Sequence, residues 1–179
     1  MKYTFIILGV LLIGAVIFLL VSNDSSPDTT SISNAVDSSI DKNNKIQFSY
    51  EDYQGNKVTN EDFAGTPMVI NSWASWCPFC IDELPDFSEI QKEFAGQVVF
   101  IAIDRSESLE TAKSYSDDLN VTDDLVFLLD PGDTFYKTIG GFSMPETIFV
   151  DSNGIVTFQR RGQMQLDEIR DRTLELISS

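Results

Sequence analysis

Two cysteines are the residues of this chain best placed to do chemistry. Cys77 and Cys80 are the only cysteines among 179 residues, and two residues separate them. An apolar run predicts a buried strand over 68–73, and apolar residues at helical spacing predict a helix over 81–94. Unpaired N–H groups at a helix N-terminus stabilise an anion such as a thiolate. We therefore expect Cys77 to be an exposed nucleophile of lowered pKa and Cys80 to be the buried, resolving cysteine of a dithiol–disulfide exchange centre.

Two other roles for this cysteine pair have less support. A structural disulfide that closes so short a loop would constrain the unfolded chain little, so its stabilising effect would be small. A zinc site would need more ligands, and the chain has neither a second cysteine pair nor a histidine. The sequence around the cysteines therefore favours redox chemistry.

The segment around the cysteines also resembles a known family. Residues 73–80 read WASWCPFC and residues 81–85 read IDELP. This is similar to the membrane-anchored thioredoxin-like proteins of the TlpA/ResA type, which carry a tryptophan-flanked Cys-x-x-Cys and then a Glu-x-Pro on the same helix. The resemblance implies an α/β thioredoxin-like fold with an N-terminal β-hairpin, over residues 46–179. It also implies a redox-active disulfide with no metal, nucleotide or flavin cofactor.

Glu83 is the carboxylate that we expect to exchange protons with the cysteine pair. It follows Cys80 by three residues, so the two side chains share one helix face. Burial there would raise its pKa, and the resembling family places its Glu-x-Pro glutamate beside the active site. The alternative is an exposed carboxylate, one of 28 acidic residues. Asn71 lies where ordinary thioredoxins carry a buried aspartate, and we assign it no catalytic role because an amide does not titrate.

A second loop is expected to hold the substrate. Pro145 follows a glycine-rich approach and precedes a predicted strand over 146–150. In thioredoxin-like folds the matching proline is cis and faces the Cys-x-x-Cys, and the residue before it pairs with the substrate chain. The resemblance therefore implies a cis Pro145. The residues that we expect to contact substrate are Met144, Pro145, Trp76, Pro78 and Phe79.

The chain divides into three predicted parts. Residues 1–21 contain an uncharged apolar stretch of nearly bilayer length, which we interpret as a retained transmembrane helix, with a cleaved signal peptide as the alternative. A lysine before this stretch and aspartates after it place the rest of the chain outside the cytoplasm. Residues 22–45 are rich in Ser, Asp, Asn and Thr and are predicted to be a flexible linker. Residues 46–179 form the thioredoxin-like domain.

The remaining elements of that domain follow from apolar patterning and turn signals. Alternation predicts a hairpin whose strands lie at 45–50 and 57–59. Further strands are predicted at 97–103, 125–129, 146–150 and 155–158, and further helices at 108–119, 134–139 and 166–178. Strands that alternate with helices predict a parallel sheet with right-handed crossovers.

These features predict an extracytoplasmic thiol–disulfide oxidoreductase. From the resemblance we expect it to reduce disulfides in exported proteins, for example in cytochrome c maturation, with electrons from a membrane protein. The alternative is an oxidase that forms disulfides in exported proteins. A peroxidase or a copper carrier has less support, because the chain lacks a Thr-x-x-Cys motif and any histidine. The protein is expected to be a monomer, and its net charge of −16 argues against nucleic acid as a partner.

Overall fold

The structure is a computed structural model, which describes residues 37–178. The predicted anchor at 1–21 and most of the predicted linker lie outside these residues. Among the residues that are described, none of the helices is both long and apolar enough to span a bilayer. The anchor therefore stays a prediction.

Strands and helices alternate along the described part of the chain. The strands are β1 (Asp37–Ile40), β2 (Ile46–Asp52), β3 (Lys57–Thr59), β4 (Met68–Trp73), β5 (Val99–Arg105), β6 (Val126–Asp130), β7 (Glu146–Val150) and β8 (Val156–Arg161). The helices are α1 (Pro78–Glu93), α2 (Leu109–Asp118), α3 (Thr134–Thr138) and α4 (Leu166–Ile177), and a 3-10 helix at Asn60–Phe63 lies between β3 and β4. The predicted hairpin, strands and helices are confirmed within a few residues at their ends.

The strands form one mixed sheet in the order β1-β2-β6-β5-β4-β7-β8, with β3 also paired to β2. The central strands β4, β5 and β6 are parallel, because α1 and α2 carry the chain back to the same end of the sheet. Strand β7 is antiparallel to β4, so its first residue lies beside the carboxyl end of β4. The ends of β4 and β5 and the start of β7 therefore meet at one edge, where Cys77, Asp104 and Pro145 lie.

Apolar side chains cover both faces of this sheet. Successive residues of β4 alternate between the two faces, so Val69 and Trp73 belong to one buried cluster and Met68 and Ile70 to the other. The first cluster includes side chains of α1, α2 and α4, and the second includes side chains of α3 and the β2–β3 hairpin. Helix α1, which begins at the cysteines, is therefore packed on a fully covered sheet.

Strand β1 differs from the sequence-based expectation. The sequence places residues 37–40 in the flexible linker, whereas the structure pairs them antiparallel with β2, from Asp37 opposite Ser49 to Ile40 opposite Ile46. The reason is that backbone hydrogen bonds to a sheet edge do not require an apolar side-chain pattern. Side-chain hydrogen bonds add to this pairing, since Ser38 and Thr138 are joined by two contacts of 3.0 Å.

Candidate active site

The two cysteines form a disulfide at the N-terminus of α1. Cys77 is the N-cap residue, and its Sγ accepts a hydrogen bond from the backbone N–H of Cys80 at 3.3 Å. Pro78 occupies the first turn, where a proline costs nothing because its missing N–H would have no partner inside the helix. A thiolate formed at Cys77 would face the positive end of the helix dipole.

Both cysteines are buried in this disulfide form. Cys77 is 2% exposed and Cys80 is 0% exposed, and both belong to the cluster beneath α1. The expectation of an exposed Cys77 is therefore wrong for this disulfide form, in which its side chain packs in the cluster beneath α1. The exposed side chains are those of sequence neighbours, with Trp76 before Cys77 at 59% and Phe79 between the two cysteines at 57%.

The predicted substrate loop packs against the cluster that contains the disulfide. The Met144–Pro145 peptide bond is cis, as the resemblance implies. Pro145 is buried, and the half-buried Met144 packs against the cluster that contains both cysteines. The carbonyl oxygen of Pro145 accepts a hydrogen bond from the N–H of Gly162 at 2.9 Å. The structure thus places Met144 against the cluster that contains the cysteines, and Pro145 follows it through a cis bond.

Glu146 fixes the approach to this loop, which the sequence did not reveal. Its carboxylate is fully buried and accepts hydrogen bonds from the N–H of Phe142 at 3.1 Å and from Gln159 Nε2 at 2.7 Å. Arg161 Nε lies 3.2 Å from the same carboxylate, and the Arg161 guanidinium lies 5.1 Å from the ring centroid of Phe142. The exposed ring of Phe142 is therefore held next to Met144.

Glu83 is fully buried within α1, and the alternative of an exposed carboxylate is wrong. Its Oε1 accepts the N–H of Met164 at 2.8 Å, and its Oε2 accepts Asn71 Nδ2 at 3.1 Å. Burial raises the pKa of Glu83 to about 8, although these two hydrogen bonds favour the charged form. Smaller opposing effects come from Asp86, which raises the pKa, and Arg160, which lowers it. A carboxyl group with this pKa can hold or release a proton near neutral pH.

Asn71 connects Glu83 to the sheet. Its Nδ2 donates both to Glu83 Oε2 and to Thr147 Oγ1, the latter at 2.9 Å. Asn71 and Thr147 are opposite each other in the β4–β7 pairing, so the sheet itself sets the position of the amide. The sequence indicated no catalytic role for Asn71, because an amide does not titrate, and its contact with Glu83 depends on the packing of α1 on β4.

A further buried carboxyl group lies near the end of β5. Asp104 is fully buried opposite Trp73, and its Oδ1 accepts the N–H of Glu107 at 2.9 Å. Burial and the adjacent Glu107 side chain raise the pKa of Asp104 to about 8. Sequence analysis missed this residue, although an aspartate that ends an otherwise apolar strand is a usable signal for a buried acid.

Arg105 stabilises the exposed Trp76. Its guanidinium lies 5.7 Å from the ring centroid of Trp76 and 3.5 Å from that of Tyr136. Two 2.7 Å hydrogen bonds to the carboxylate of Asp133 fix the guanidinium. This arrangement orients the indole ring beside the disulfide.

The sequence profile of the Redoxin family matches residues 20–174. The chain belongs to the Redoxin family. Among similar named proteins, the thiol-disulfide oxidoreductase ResA of Bacillus thuringiensis is 27% identical over 127 residues, which cover 69% of this chain and 71% of that protein. The thiol:disulfide interchange protein DsbE of Haemophilus influenzae is 29% identical over 126 residues, which cover 70% of this chain and 67% of that protein.

Solved structures agree with this assignment to the Redoxin family. The exposed lipoprotein thioredoxin of Streptococcus pneumoniae superposes with a TM-score of 0.65 at 28% identity, over 73% of this chain and 99% of that one. The thioredoxin-like fold and the resemblance to ResA-type proteins are thus confirmed. This redoxin is a thiol–disulfide oxidoreductase. Within residues 37–178, no group of three or more His, Cys, Asp or Glu side chains is arranged to hold a metal ion.

Proposed function

We propose that this redoxin works outside the cytoplasm, where it reduces disulfides in exported proteins. The observation that supports the proposal best is the Cys77–Cys80 disulfide at a helix N-terminus, on the same helix as a fully buried Glu83. The relatives named ResA and DsbE are consistent with this chemistry. The uncharged stretch at the start of the chain supports the location.

The reaction begins with the reduced protein. The Cys77 thiolate attacks one sulfur of the substrate disulfide, which forms a mixed disulfide and releases the other substrate sulfur as a thiolate. Cys80 then loses its proton and attacks the Cys77 sulfur, which releases the second substrate thiolate. Two electrons pass to the substrate, and the Cys77–Cys80 disulfide remains. A membrane donor must then return two electrons, and one proton must return to Cys80, to restore the Cys77 thiolate and the Cys80 thiol.

Glu83 is proposed to take the proton that Cys80 loses. It lies one helical turn from Cys80, and both side chains are fully buried, so bulk water has little access to either. Its raised pKa of about 8 is close to that of a thiol, which makes proton transfer in either direction nearly balanced. Asn71 and the N–H of Met164 keep the carboxyl oriented during this exchange.

The substrate chain is proposed to lie across the surface beside the disulfide. The backbone of Met144 would pair with that of the substrate, Pro145 would lie against it, and the exposed side chains of Trp76, Pro78 and Phe79 would contact its apolar residues. Exposed aromatic side chains favour a partly unfolded segment, since such a segment offers apolar side chains for them to bury. Disulfides that are still accessible in newly exported proteins have this property.

The direction of electron flow follows from the redox potential of the cysteine pair. We expect a potential nearer about −270 mV, as in thioredoxin, than about −120 mV, as in a strong oxidant. The physical reason is that no histidine lies between the cysteines to stabilise the Cys77 thiolate further. Equilibration with dithiothreitol buffers measures this potential. A value above about −180 mV would replace the reductase with a disulfide-forming oxidase.

Trapping with cysteine variants tests the assignment of roles. Cys80→Ser should accumulate mixed disulfides with substrate proteins, because no second thiol can resolve the bond at Cys77. Cys77→Ser should trap none and provides the matched control. The assignment of the nucleophile fails if the Cys77→Ser variant traps substrates as well as Cys80→Ser does.

A further inference from the structure

The loop that leads from β4 to Cys77 is held by a carboxylate from a different part of the chain. Glu107, in the segment after β5, accepts the N–H of Ser75 with Oε2 at 2.7 Å and the hydroxyl of Ser75 with Oε1 at 2.6 Å. Ser75 precedes Cys77 by two residues, and the N–H of Cys77 donates to the carbonyl oxygen of Ala74 at 3.1 Å. Both hydrogen-bond donors of Ser75 are thus fixed immediately before the nucleophile.

Asp104 in turn holds Glu107. Its Oδ1 accepts the N–H of Glu107, which sets the backbone from which the Glu107 side chain extends. Its other oxygen, Oδ2, is buried and has no hydrogen-bond partner among the described residues. The indole Nε1 of Trp73, directly across the β4–β5 pairing, is also buried without a partner in that part of the chain. A buried polar group without a partner is costly, so both of these groups call for an explanation.

We propose that Glu107 and Asp104 are positioning residues of the dithiol centre, which act on Cys77 through Ser75. A carboxylate that binds Ser75 at two points fixes both the main chain and the side chain of the loop. The loop in turn keeps the Cys77 sulfur at the N-cap of α1, where the helix dipole stabilises its thiolate. This role concerns thiol reactivity, so it does not depend on the direction of the proposed reaction.

The protonation state of Asp104 should control the strength of the hydrogen bonds between Glu107 and Ser75. Burial is the main cause that raises the pKa of Asp104 to about 8, and the nearby carboxyls of Glu107 and Asp130 raise it further. The phenol of Tyr53, whose own pKa is raised by burial and by Asp104, also faces this group. A neutral Asp104 leaves Glu107 as the single negative charge beside Ser75. Ionisation of Asp104 would place a second negative charge next to the first in a site of low dielectric constant. Repulsion would then weaken the contact between Glu107 and Ser75.

Fluorescence of the oxidised protein tests the ionisation of Asp104 directly. In a Trp76→Phe background Trp73 is the only tryptophan, so excitation where tyrosine does not absorb selects its emission. The disulfide removes thiol titration, and the chain has no histidine. Trp73 fluorescence should change with a midpoint near pH 8. The step should disappear in Asp104→Asn and persist in Glu83→Gln. A step that persists in Asp104→Asn, or no step at all, would refute the protonation part of the proposal.

Alkylation of the reduced protein tests the positioning role. In Ser75→Ala and in Glu107→Gln, the rate at Cys77 near pH 7 should fall about twofold to tenfold, the effect of losing one hydrogen bond. Removing the charge of Glu107 would by itself speed the reaction, because a like charge disfavours a thiolate. A slower rate in both variants therefore indicates that Glu107 acts by positioning the loop before Cys77. Ser75→Thr keeps the hydroxyl group and should react at about the wild-type rate.

Different alkylation rates in these variants would refute the positioning role. If Ser75→Ala reacts at the wild-type rate while Glu107→Gln reacts faster, Glu107 acts only as a charge and the positioning role is wrong. Ser75 is only partly buried, so its replacement keeps this test valid even if Asp104→Asn does not fold. Because alkylation needs no substrate protein, its outcome is separate from that of the trapping experiment above.

Discussion

Replacing Glu83 by glutamine measures what it costs the folded protein to ionise a buried carboxyl group. The side chain is fully exposed to water after unfolding, whereas in the fold it is buried between α1, Asn71 and the N–H of Met164. Its pKa is raised from 4.5 to about 8 on folding, chiefly by burial. The folded state therefore retains a proton that the unfolded chain has already lost over this pH range.

The sign and the magnitude of the effect follow from this difference. Between pH 4.5 and about 8 the unfolded state binds fewer protons, so the free energy of unfolding falls as the pH rises. Each tenfold difference in proton affinity corresponds to about 1.4 kcal/mol, which gives a total loss of about 5 kcal/mol from Glu83. Below pH 4.5 both states are protonated, and above about 8 both are ionised, so the contribution is constant there.

Glu83→Gln should remove this slope and should make the two stability curves cross. At pH 5 the variant should be less stable than the wild type by about 1 kcal/mol. The reason is that the NH₂ group of the new glutamine would face the NH₂ group of Asn71, and two donors cannot form a hydrogen bond. At pH 8.5 it should be more stable by roughly 3 kcal/mol, because no buried charge forms. Urea unfolding of the oxidised proteins at several pH values measures both differences, and Asp82→Asn, an exposed neighbour on α1, is the control. Parallel curves for wild type and Glu83→Gln would refute the burial argument.

Three further variants extend the test to neighbouring residues. Asn71→Ala removes a donor to Glu83, so the midpoint of the rate–pH profile for thiol alkylation should rise, and an unchanged midpoint would exclude this contact. Glu146→Gln weakens the ion pair with Arg161 and the hydrogen bond to the N–H of Phe142, so the Phe142 loop becomes less fixed. The KM for a protein substrate should therefore rise several-fold, while the rate with a small disulfide stays constant. Equal effects on both substrates would contradict this role of Glu146. Phe87→Ala, in the core beneath α1, should lower the free energy of unfolding by about 3 to 5 kcal/mol in urea titrations, and a loss below 1 kcal/mol would contradict its tight packing.

Local patterns were sufficient to predict the centre of the site. The strand before Cys77, the helix after it and the spacing to Glu83 all depend on residues close in sequence, which apolar periodicity and capping preferences describe well. The cis bond at Pro145 needed the family resemblance in addition, because its sequence neighbours do not specify it.

Contacts between segments that are distant along the chain could not be predicted from the sequence. Met164 donates to Glu83 across 81 residues and Glu107 binds Ser75 across 32, and such pairs are fixed only by the packing of strands and helices. Strand β1 was missed for a related reason. Its pairing with β2 depends on main-chain hydrogen bonds, which do not require any particular pattern of polar and apolar residues.

The hydrogen bond from Met164 to Glu83 also bears on the order in which the protein matures. A chain that grows from its N-terminus contains both cysteines and Glu83 long before it contains β7 or Met164. Until those later segments dock, Thr147 cannot fix Asn71, and Glu83 remains in water with an ordinary carboxylate acidity. The newly made dithiol is therefore chemically distinct from the mature one, and its proton partner becomes functional only when the last third of the chain has folded.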